Sequence, residues 1–559
     1  MNYRTLFVLL AAALVGPQVA RGQLYYVDLS AGLNVPELET GQTELEFGDV
    51  NGDGHVDLVC IGDHGSPRFN SDEHGVMVWF SDGAGNWSVF QYGEFGYGGI
   101  ALGDVNNDGL LDVGYGMHHN YSGVDLGDQL LEAALGDGTG QFWTAWDDGL
   151  ATSGETWGMF GTDFADIDND GDLDIGSASF GGSNGARIYA NNMDGTWTQT
   201  SALACGSSSM LFEFGEINGD GYTDFAAAYG GATVGLGDGA GGFVASLSGA
   251  RDGISLGDVN DDGQDDLAYV TGGGGIKVYT MTGAGAWQDI SGNLPGSGGF
   301  ALTQIADMNL DGHGDIVAFD PGSDSPGTIA VYGGDGAGNW QLLASIATPE
   351  CQDDAALRAG ADVDHNGYPD IVVVQEEDYF IPPFIWIDKN KMYCYAESST
   401  PTATSVHPQS PRGGETFIAG SVRFIEWTAA VPGPGQPTMS IDLSLDGPIG
   451  PWQSIAAAMP NNGRYQWLLP TGLQTSADCH LRFTLDAINV VTPRPFTIMG
   501  TSLPGDFDGD DDVDFDDMAT FIEVLLGIDT NPSHVAIADV DGSGTPDGND
   551  IQVFVGLML

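Results

Sequence analysis

The chain has 559 residues, 79 acidic side chains against 14 basic ones, a formal net charge of −65 and 87 glycines. A surface this acidic repels nucleic-acid phosphates, and 14 Lys and Arg over such a length leave no basic stripe to bind them. Disorder is excluded too: hydrophobic residues make up 42% of the chain, so it can bury cores, and bound divalent cations are the obvious means of neutralising its carboxylates.

The N-terminus reads as a signal peptide over residues 1–22. Arg4 supplies the positive flank, residues 6–15 the apolar run, and Ala20-Arg21-Gly22 a small-x-small cleavage site. An uncleaved anchor is the alternative, and the run is short for one; no later segment is long and apolar enough to span a bilayer. The expected setting is secreted or cell-surface, where calcium is millimolar and the milieu oxidising. Five cysteines are present, of which Cys351 and Cys394 could pair, although spacing alone does not decide it; no CxxC or Cys/His cluster suggests zinc.

Next, one nonapeptide recurs seven times with oxygen-bearing side chains at positions 1, 3, 5 and 9. The first three copies are Asp49, Asn51, Asp53, Asp57; Asp104, Asn106, Asp108, Asp112; and Asp166, Asp168, Asp170, Asp174. Then come Glu216, Asn218, Asp220, Asp224; Asp258, Asn260, Asp262, Asp266; Asp307, Asn309, Asp311, Asp315; and Asp362, Asp364, Asn366, Asp370. A Gly stands at position 6 of every copy, where the chain must curl tightly around a centre. Alternate side chains of a tight loop point inward, and with a backbone carbonyl near position 7 they supply the several hard oxygens that calcium prefers; magnesium wants a smaller octahedron. Asx turns without metal would explain one copy but poorly explain seven.

Short apolar segments flank each loop, and Gly-rich turns leading into an aromatic residue follow at residues 82–87, 137–142, 194–197, 238–243, 283–287 and 335–340. Each unit therefore reads as strand, loop, strand, connection, strand, hairpin, strand: one four-stranded blade of about fifty residues. The expected fold class is mainly β, with a seven-bladed β-propeller over residues 23–400. The seventh unit lacks the Gly-rich turn while residues 24–29 resemble a stray outer strand, so the N-terminus is expected to close the last blade. With Phe47-Gly48 and Phe214-Gly215 as its name motif and Phe164-Ala165 as a relaxed form, this region resembles the FG-GAP/VCBS repeat family, the propeller type of integrin α-chains. The resemblance implies calcium at each Asp loop on one face and ligand binding through the connections on the other. Glu216 departs from the pattern at position 1.

On that other face the fourth and fifth connections are plain and Gly-rich, whereas three others are chemically richer. The first carries His64, Arg68, Phe69 and His74, the second His118, His119, Asn120 and Tyr121, and the seventh Glu376, Asp378, Tyr379 and Phe380. Of these, His64, Arg68, His118, His119, Tyr121 and Tyr379 are the candidate ligand contacts, suited to a sugar or a peptide; solvated, tolerated insertions are the competing explanation.

Residues 401–411, rich in Ser, Thr and Pro, read as a linker. About seven alternating strands over 412–500 read as an immunoglobulin-like sandwich with Trp427 and Trp467 in its core. The last segment, 505–559, pairs two EF-hand-like loops, each entering an apolar helix. Their ligands are Asp506, Asp508, Asp510, Asp514 and Asp517, and Asp539, Asp541, Ser543, Asp547 and Asp550. The pair resembles a type I dockerin, which implies a cohesin-type protein partner met through Phe515, Asp516, Gly548 and Asn549; Asp511, Ser543 and Pro546 depart from the usual pattern. Two apolar helices are expected, with a seam of Phe521, Val524, Leu525, Val553 and Phe554.

Two classes of function follow. As a calcium-bound adhesion or binding protein, the chain would present its propeller to carbohydrate or to an extracellular protein. As a polysaccharide lyase or glycoside hydrolase, it would need paired carboxylates of distinct acidity, and no HExxH motif appears.

Overall fold

A computed structural model describes residues 22–33, 38–39, 43–62, 75–93, 95, 98–117, 125–152, 158–180, 185–204, 210–228, 232–249, 252–283, 285–322, 325–383, 385–433, 435–500, 504–507, 513–515, 517–529, 532–540 and 545–558. The period-2 apolar runs pair into seven antiparallel sheets of at least four strands each. Their inner strands are Leu45–Gly48, Ile100–Gly103, Gly158–Ala165, Leu211–Gly215, Asp252–Gly257, Leu302–Ala306 and Asp353–Ala359. Each inner strand packs beside the next, and the last returns to the first, closing the ring of a β-propeller. Facing blades bury mixed cores, such as Val59, Val78, Ile100, Val113 and Tyr115 between the first and second.

The seventh sheet takes its outermost strand from the other end of the chain: Tyr26–Asp28 pairs antiparallel with Ile385–Glu397, Val27 opposite Ala396. Ring closure thus joins the two ends of the propeller by a ladder of backbone bonds. No disulfide joins Cys351 and Cys394; both are buried thiols, and Cys351 Sγ donates to the Pro321 carbonyl at 2.7 Å.

The seventh connection differs from expectation. Residues 376–380 belong to the long strand Ile371–Ile381, which pairs with Ile385–Glu397, so Tyr379 sits opposite Ile387 in a ladder and not in a loop. The β-rich run continues without Gly or Pro until Pro382-Pro383.

Carboxylates on or just before the inner strands tie blades together around the channel, most of them between neighbours, while Glu44 reaches from the first blade to the third. Glu44 Oε2 accepts the Thr162 N–H at 2.9 Å, Asp163 Oδ2 that of Phe214 at 2.9 Å, and Glu213 Oε2 that of Leu256 at 3.1 Å. Arg358 donates to Glu46 at 2.7 Å across the junction of the last and first blades.

After the ring come two packed sheets. One joins Ser405–Ser410, Val422–Ala430 and Arg464–Leu468; the other joins Thr416–Ile418, Phe496–Met499, Ser476–Leu485, Met439–Ser444 and Gln453–Met459, with Ile488–Val491 paired to Ser476–Leu485. Trp427, Trp467, Phe483 and Phe496 fill the space between them. Residues 405–410, expected within a linker, form an edge strand on Val422–Ala430, with Val406 buried in this core. The C-terminal helices are α1 (Met518–Leu525), α2 (Pro532–Ala538) and α3 (Asp550–Leu557). α2 was not expected; Pro532 opens it, where its missing N–H costs no helical bond. Phe521 and Phe554 stack at 4.0 Å, and with Val524 they are buried rather than left as an open seam.

Candidate metal centres

Every Asp-rich loop of the propeller lies between the inner strand of a blade and its second strand. Each is wound by two left-handed residues. Position 6 is Gly throughout, with φ between +83° and +97° (Gly54, Gly109, Gly171, Gly221, Gly263, Gly312, Gly367). Position 4 is left-handed too, in Gly52, Asn107, Asn169, Gly219, Asp261, Leu310 and His365. The sequence pattern did not disclose that second constraint, because Leu310 and His365 interrupt the run of Gly, Asn and Asp at position 4.

This winding turns the backbone N–H groups onto the outer oxygens of the acidic residues. In all seven loops the position 5 side-chain oxygen accepts the N–H of position 7, as from His55 to Asp53 at 2.9 Å. In six, Oδ2 of position 1 accepts the N–H of the Gly, as from Gly109 to Asp104 at 2.6 Å. Glu216, one methylene longer, instead uses Oε1 to accept from Gly219 and Asp220.

Position 9 has a second role. All seven of these Asp residues are buried, and six use Oδ2 to accept an N–H from position 2 or 3 of the loop and Oδ1 to accept one from beyond the second strand. Asp174 takes the Ile167 N–H at 2.9 Å and the Asn191 N–H at 2.8 Å; Asp112 takes those of Val105 at 2.9 Å and Gly136 at 2.8 Å. The exception is Asp266, whose Oδ1 faces the Asn260 amide at 3.4 Å. The residue is therefore a strut as well as a metal candidate, and a carboxylate has lone pairs for both. Position 9 is Asp in every copy while positions 1, 3 and 5 vary, which was the signal for this added duty.

Carboxylates converge most closely in two loops. Asp166, Asp168 and Asp174, and likewise Asp362, Asp364 and Asp370, each offer an oxygen within 4.8 Å of the others. Those are the two loops with Asp at position 3; Asn51, Asn106, Asn218, Asn260 and Asn309 bring an amide oxygen to that place in the rest. The donor set fits a hard divalent cation on a separate ground as well. Asp166 Oδ1, Asp168 Oδ1, Asp172 Oδ1 and Glu216 Oε2 are buried with no hydrogen-bond donor. Burial pushes Asp168 up to about 6 and Asp57, Asp112, Asp172 and Glu216 up to about 8, so charge compensation is needed to keep these groups ionised at neutral pH. Calcium there would supply that compensation, held by the oxygens of positions 1, 3, 5 and 9.

Another acidic pair, which the repeat pattern gave no reason to look for, lies in the second blade. Glu132 and Asp147 are buried together: Glu132 Oε1 accepts the Gln129 N–H at 2.8 Å, while Glu132 Oε2 and Asp147 Oδ2 have no donor. Burial, then the neighbouring Asp147, holds the Glu132 carboxyl far above its ordinary range.

Of the candidate ligand contacts, His64, Arg68, His118, His119 and Tyr121 lie outside the described residues, as do Asp508, Asp510, Asp541 and Ser543 of the C-terminal loops. The closing residues of those C-terminal loops are placed. Asp517 is buried with Oδ2 accepting the Asp514 N–H at 2.9 Å, and Asp550 is buried with Oδ2 accepting that of Asp547 at 2.6 Å. Asp506 is also buried.

The model of the FG-GAP-like repeat matches residues 49–115, 166–227, 258–318 and 307–373, each window opening on the first residue of an Asp-rich loop. Four windows of the propeller thus match FG-GAP-like repeats. Integrin alpha-7 of Mus musculus is 27% identical over 216 residues, 35% of this chain and 18% of that protein. Integrin alpha-7 of Rattus norvegicus is 32% identical over 138 residues, 22% and 12% of the two chains. The chain spans less than a fifth of the length of these curated relatives. Among solved structures, the WD40 β-propeller domain of Doa1 overlaps 66% of this chain and 97% of its own at 14% identity and a TM-score of 0.38. Among the described residues no helix is long and apolar enough to cross a membrane.

Proposed function

We propose that this chain is a secreted, calcium-bound adhesion or binding protein. Its propeller presents carbohydrate or an extracellular protein with the face opposite the metal loops. Its sandwich, read as immunoglobulin-like, holds that body, and its dockerin-like C-terminal unit attaches it to a cohesin-type partner. The observation that carries the reading is the third loop, where backbone donors hold the outer oxygens while Asp166 Oδ1 and Asp168 Oδ1 are left buried beside Asp174 with no hydrogen-bond donor, within a winding that all seven loops share. Likeness to integrin alpha-7 supports a binding role outside the cell. Exposed Phe515, Ile522, Leu526, Ile551 and Val555 on the C-terminal unit suit protein docking.

The test begins with elemental analysis of purified protein, where several equivalents of calcium per chain are expected. A glycan array and an extracellular-matrix panel, each run with calcium and with chelator, should then show calcium-dependent capture. Released reducing ends on a polysaccharide panel, without such capture, would replace this reading with the polysaccharide-degrading one.

A further inference from the structure

The sandwich sits on the metal-loop face of the propeller and touches every loop. Asn462 donates to Asp49 Oδ2 at 3.3 Å in the first. In the second, Gln466 clamps Asp104 at two points, accepting its N–H at 2.9 Å and donating to its carbonyl at 2.8 Å. The Val422 N–H donates to Asp166 Oδ2 at 2.8 Å in the third, where Arg423 also reaches Asn169 at 3.2 Å; the same guanidinium donates to the Gly221 carbonyl in the fourth at 2.8 Å. Arg412 donates to the Asp258 carbonyl in the fifth at 3.1 Å and pairs with Asp307 in the sixth at 3.5 Å, and Arg494 donates to the Asp261 carbonyl. In the seventh, the Val431 N–H donates to the His365 carbonyl at 3.0 Å.

Most of these contacts land on loop backbone atoms; the others fall on outward side-chain oxygens, three of which, Asp49 Oδ2, Asp166 Oδ2 and Asp307 Oδ2, also hold the Gly54, Gly171 and Gly312 N–H groups. The sandwich therefore reads the wound shape of the loops and leaves the inward oxygens to a cation. Such a shape needs a centre: the third loop packs five carboxylates into nine residues, which repel one another without one.

We propose that calcium binding and seating of the sandwich are a single linked equilibrium. Calcium winds the loops that the sandwich reads, the seated sandwich raises the affinity of those loops for calcium, and loss of metal releases it. This rests on the calcium reading above and goes beyond it. Seated, the sandwich covers the mouth of the channel, enclosing with the inner strands a cavity of about 1270 Å³, and leaves the opposite face as the one open to ligands.

Sign matters in choosing variants. Arg412 and Arg423 bring positive charge beside the loops, so removing them would favour calcium electrostatically while cutting contacts. Asn462 and Gln466 are neutral, so Asn462→Ala with Gln466→Ala removes contacts alone. Linked equilibria are reciprocal, and this pair should bind calcium about five-fold or more weakly than the parent chain. The seating itself is read in the full chain by the distance between nitroxide labels at Ile449→Cys and Val244→Cys, both exposed positions, in a Cys205→Ser background. One narrow distance is expected in calcium and a broad distribution in chelator, with a midpoint that follows calcium release. A narrow distance that survives removal of all bound calcium would overturn the proposal, as would a double variant with unchanged calcium affinity. Should chelator unfold the propeller, seen as loss of near-ultraviolet dichroism, the affinity of the double variant decides alone. Absence of calcium from the purified chain would instead sink the metal reading itself, and is registered before any label is attached.

Discussion

Two groups of buried acids invite comparison: the third Asp-rich loop, and the pair Glu132 and Asp147 in the blade before it. In the loop, three residues aim oxygens at one centre while backbone N–H groups occupy the outer oxygens. In the pair, two oxygens face each other, and their surroundings provide one backbone donor and no winding. Convergence of several oxygens with their backs satisfied suits a cation. Two opposed carboxyl oxygens suit a shared proton. Burial and acidity are common to both, so geometry separates them.

The largest effect should come from the strut rather than from the metal. Asp174→Ala strips two buried N–H groups, those of Ile167 and Asn191, of the carboxylate that accepts them. At about 1–3 kcal/mol for each unsatisfied group, a loss of about 3–5 kcal/mol is expected. It should persist in chelator, as measured by denaturant unfolding. A loss confined to calcium-loaded protein would mean that position 9 acts only as a ligand.

Next is the proton. The carboxyl of Glu132 is raised in the folded chain by burial, so the folded state keeps its proton after the unfolded chain has lost one. Stability contributed by that group is complete at pH below its ordinary value near 4.5 and falls as pH rises above it. Glu132→Gln keeps the acceptor for the Gln129 N–H and offers a permanent donor to Asp147. The variant should match the parent near pH 4 and exceed it increasingly through pH 8, by about 1–3 kcal/mol, with unchanged calcium content. One equivalent of calcium lost in this variant would instead turn the pair into a metal site.

Within the third loop, Asp168→Asn installs the residue that five sister loops carry at position 3. Calcium should still bind, more weakly, and the melting temperature in excess calcium should fall by a few degrees. In chelator it should hold or rise, since one of five crowded carboxyl groups is gone. A fall of equal size in both conditions would show that Asp168 is structural.

What could be read in advance follows from range. The oxygens at positions 1, 3, 5 and 9 and the Gly at 6 are local and repeat seven times, so the loops and the blades around them were legible, as was the strand that closes the ring. The strut role of Asp174 was half visible, in the constancy of position 9, but its partner Asn191 lies 17 residues away on another strand. Seating of the sandwich was not visible at all: Gln466 and Asp104 are 362 residues apart, and nothing in the spacing of either announces the other. The edge strand at 405–410 was hidden by its Ser and Pro content, and Glu132 by standing alone in a run of apolar residues.

The smallest effect tests the winding on which the loops depend. Leu310 holds φ of +58° at position 4, where Asn107 and Asn169 stand in sister loops. For an ordinary residue that conformation costs about 1–2 kcal/mol, and Asn tolerates it through its short polar side chain. Leu310 is half-buried and belongs to no core cluster, so little packing offsets the relief. Leu310→Asn should therefore gain about 0.5–1 kcal/mol with calcium content unchanged. The converse substitution lies two residues on: at Gly312, with φ of +92°, an added Cβ meets nothing within 4 Å, so Gly312→Ala acts on the backbone alone and should lose about 1 kcal/mol or more. If both substitutions leave stability where it was, the left-handed turns are not under strain, and the shape the sandwich reads must be held by something other than this winding.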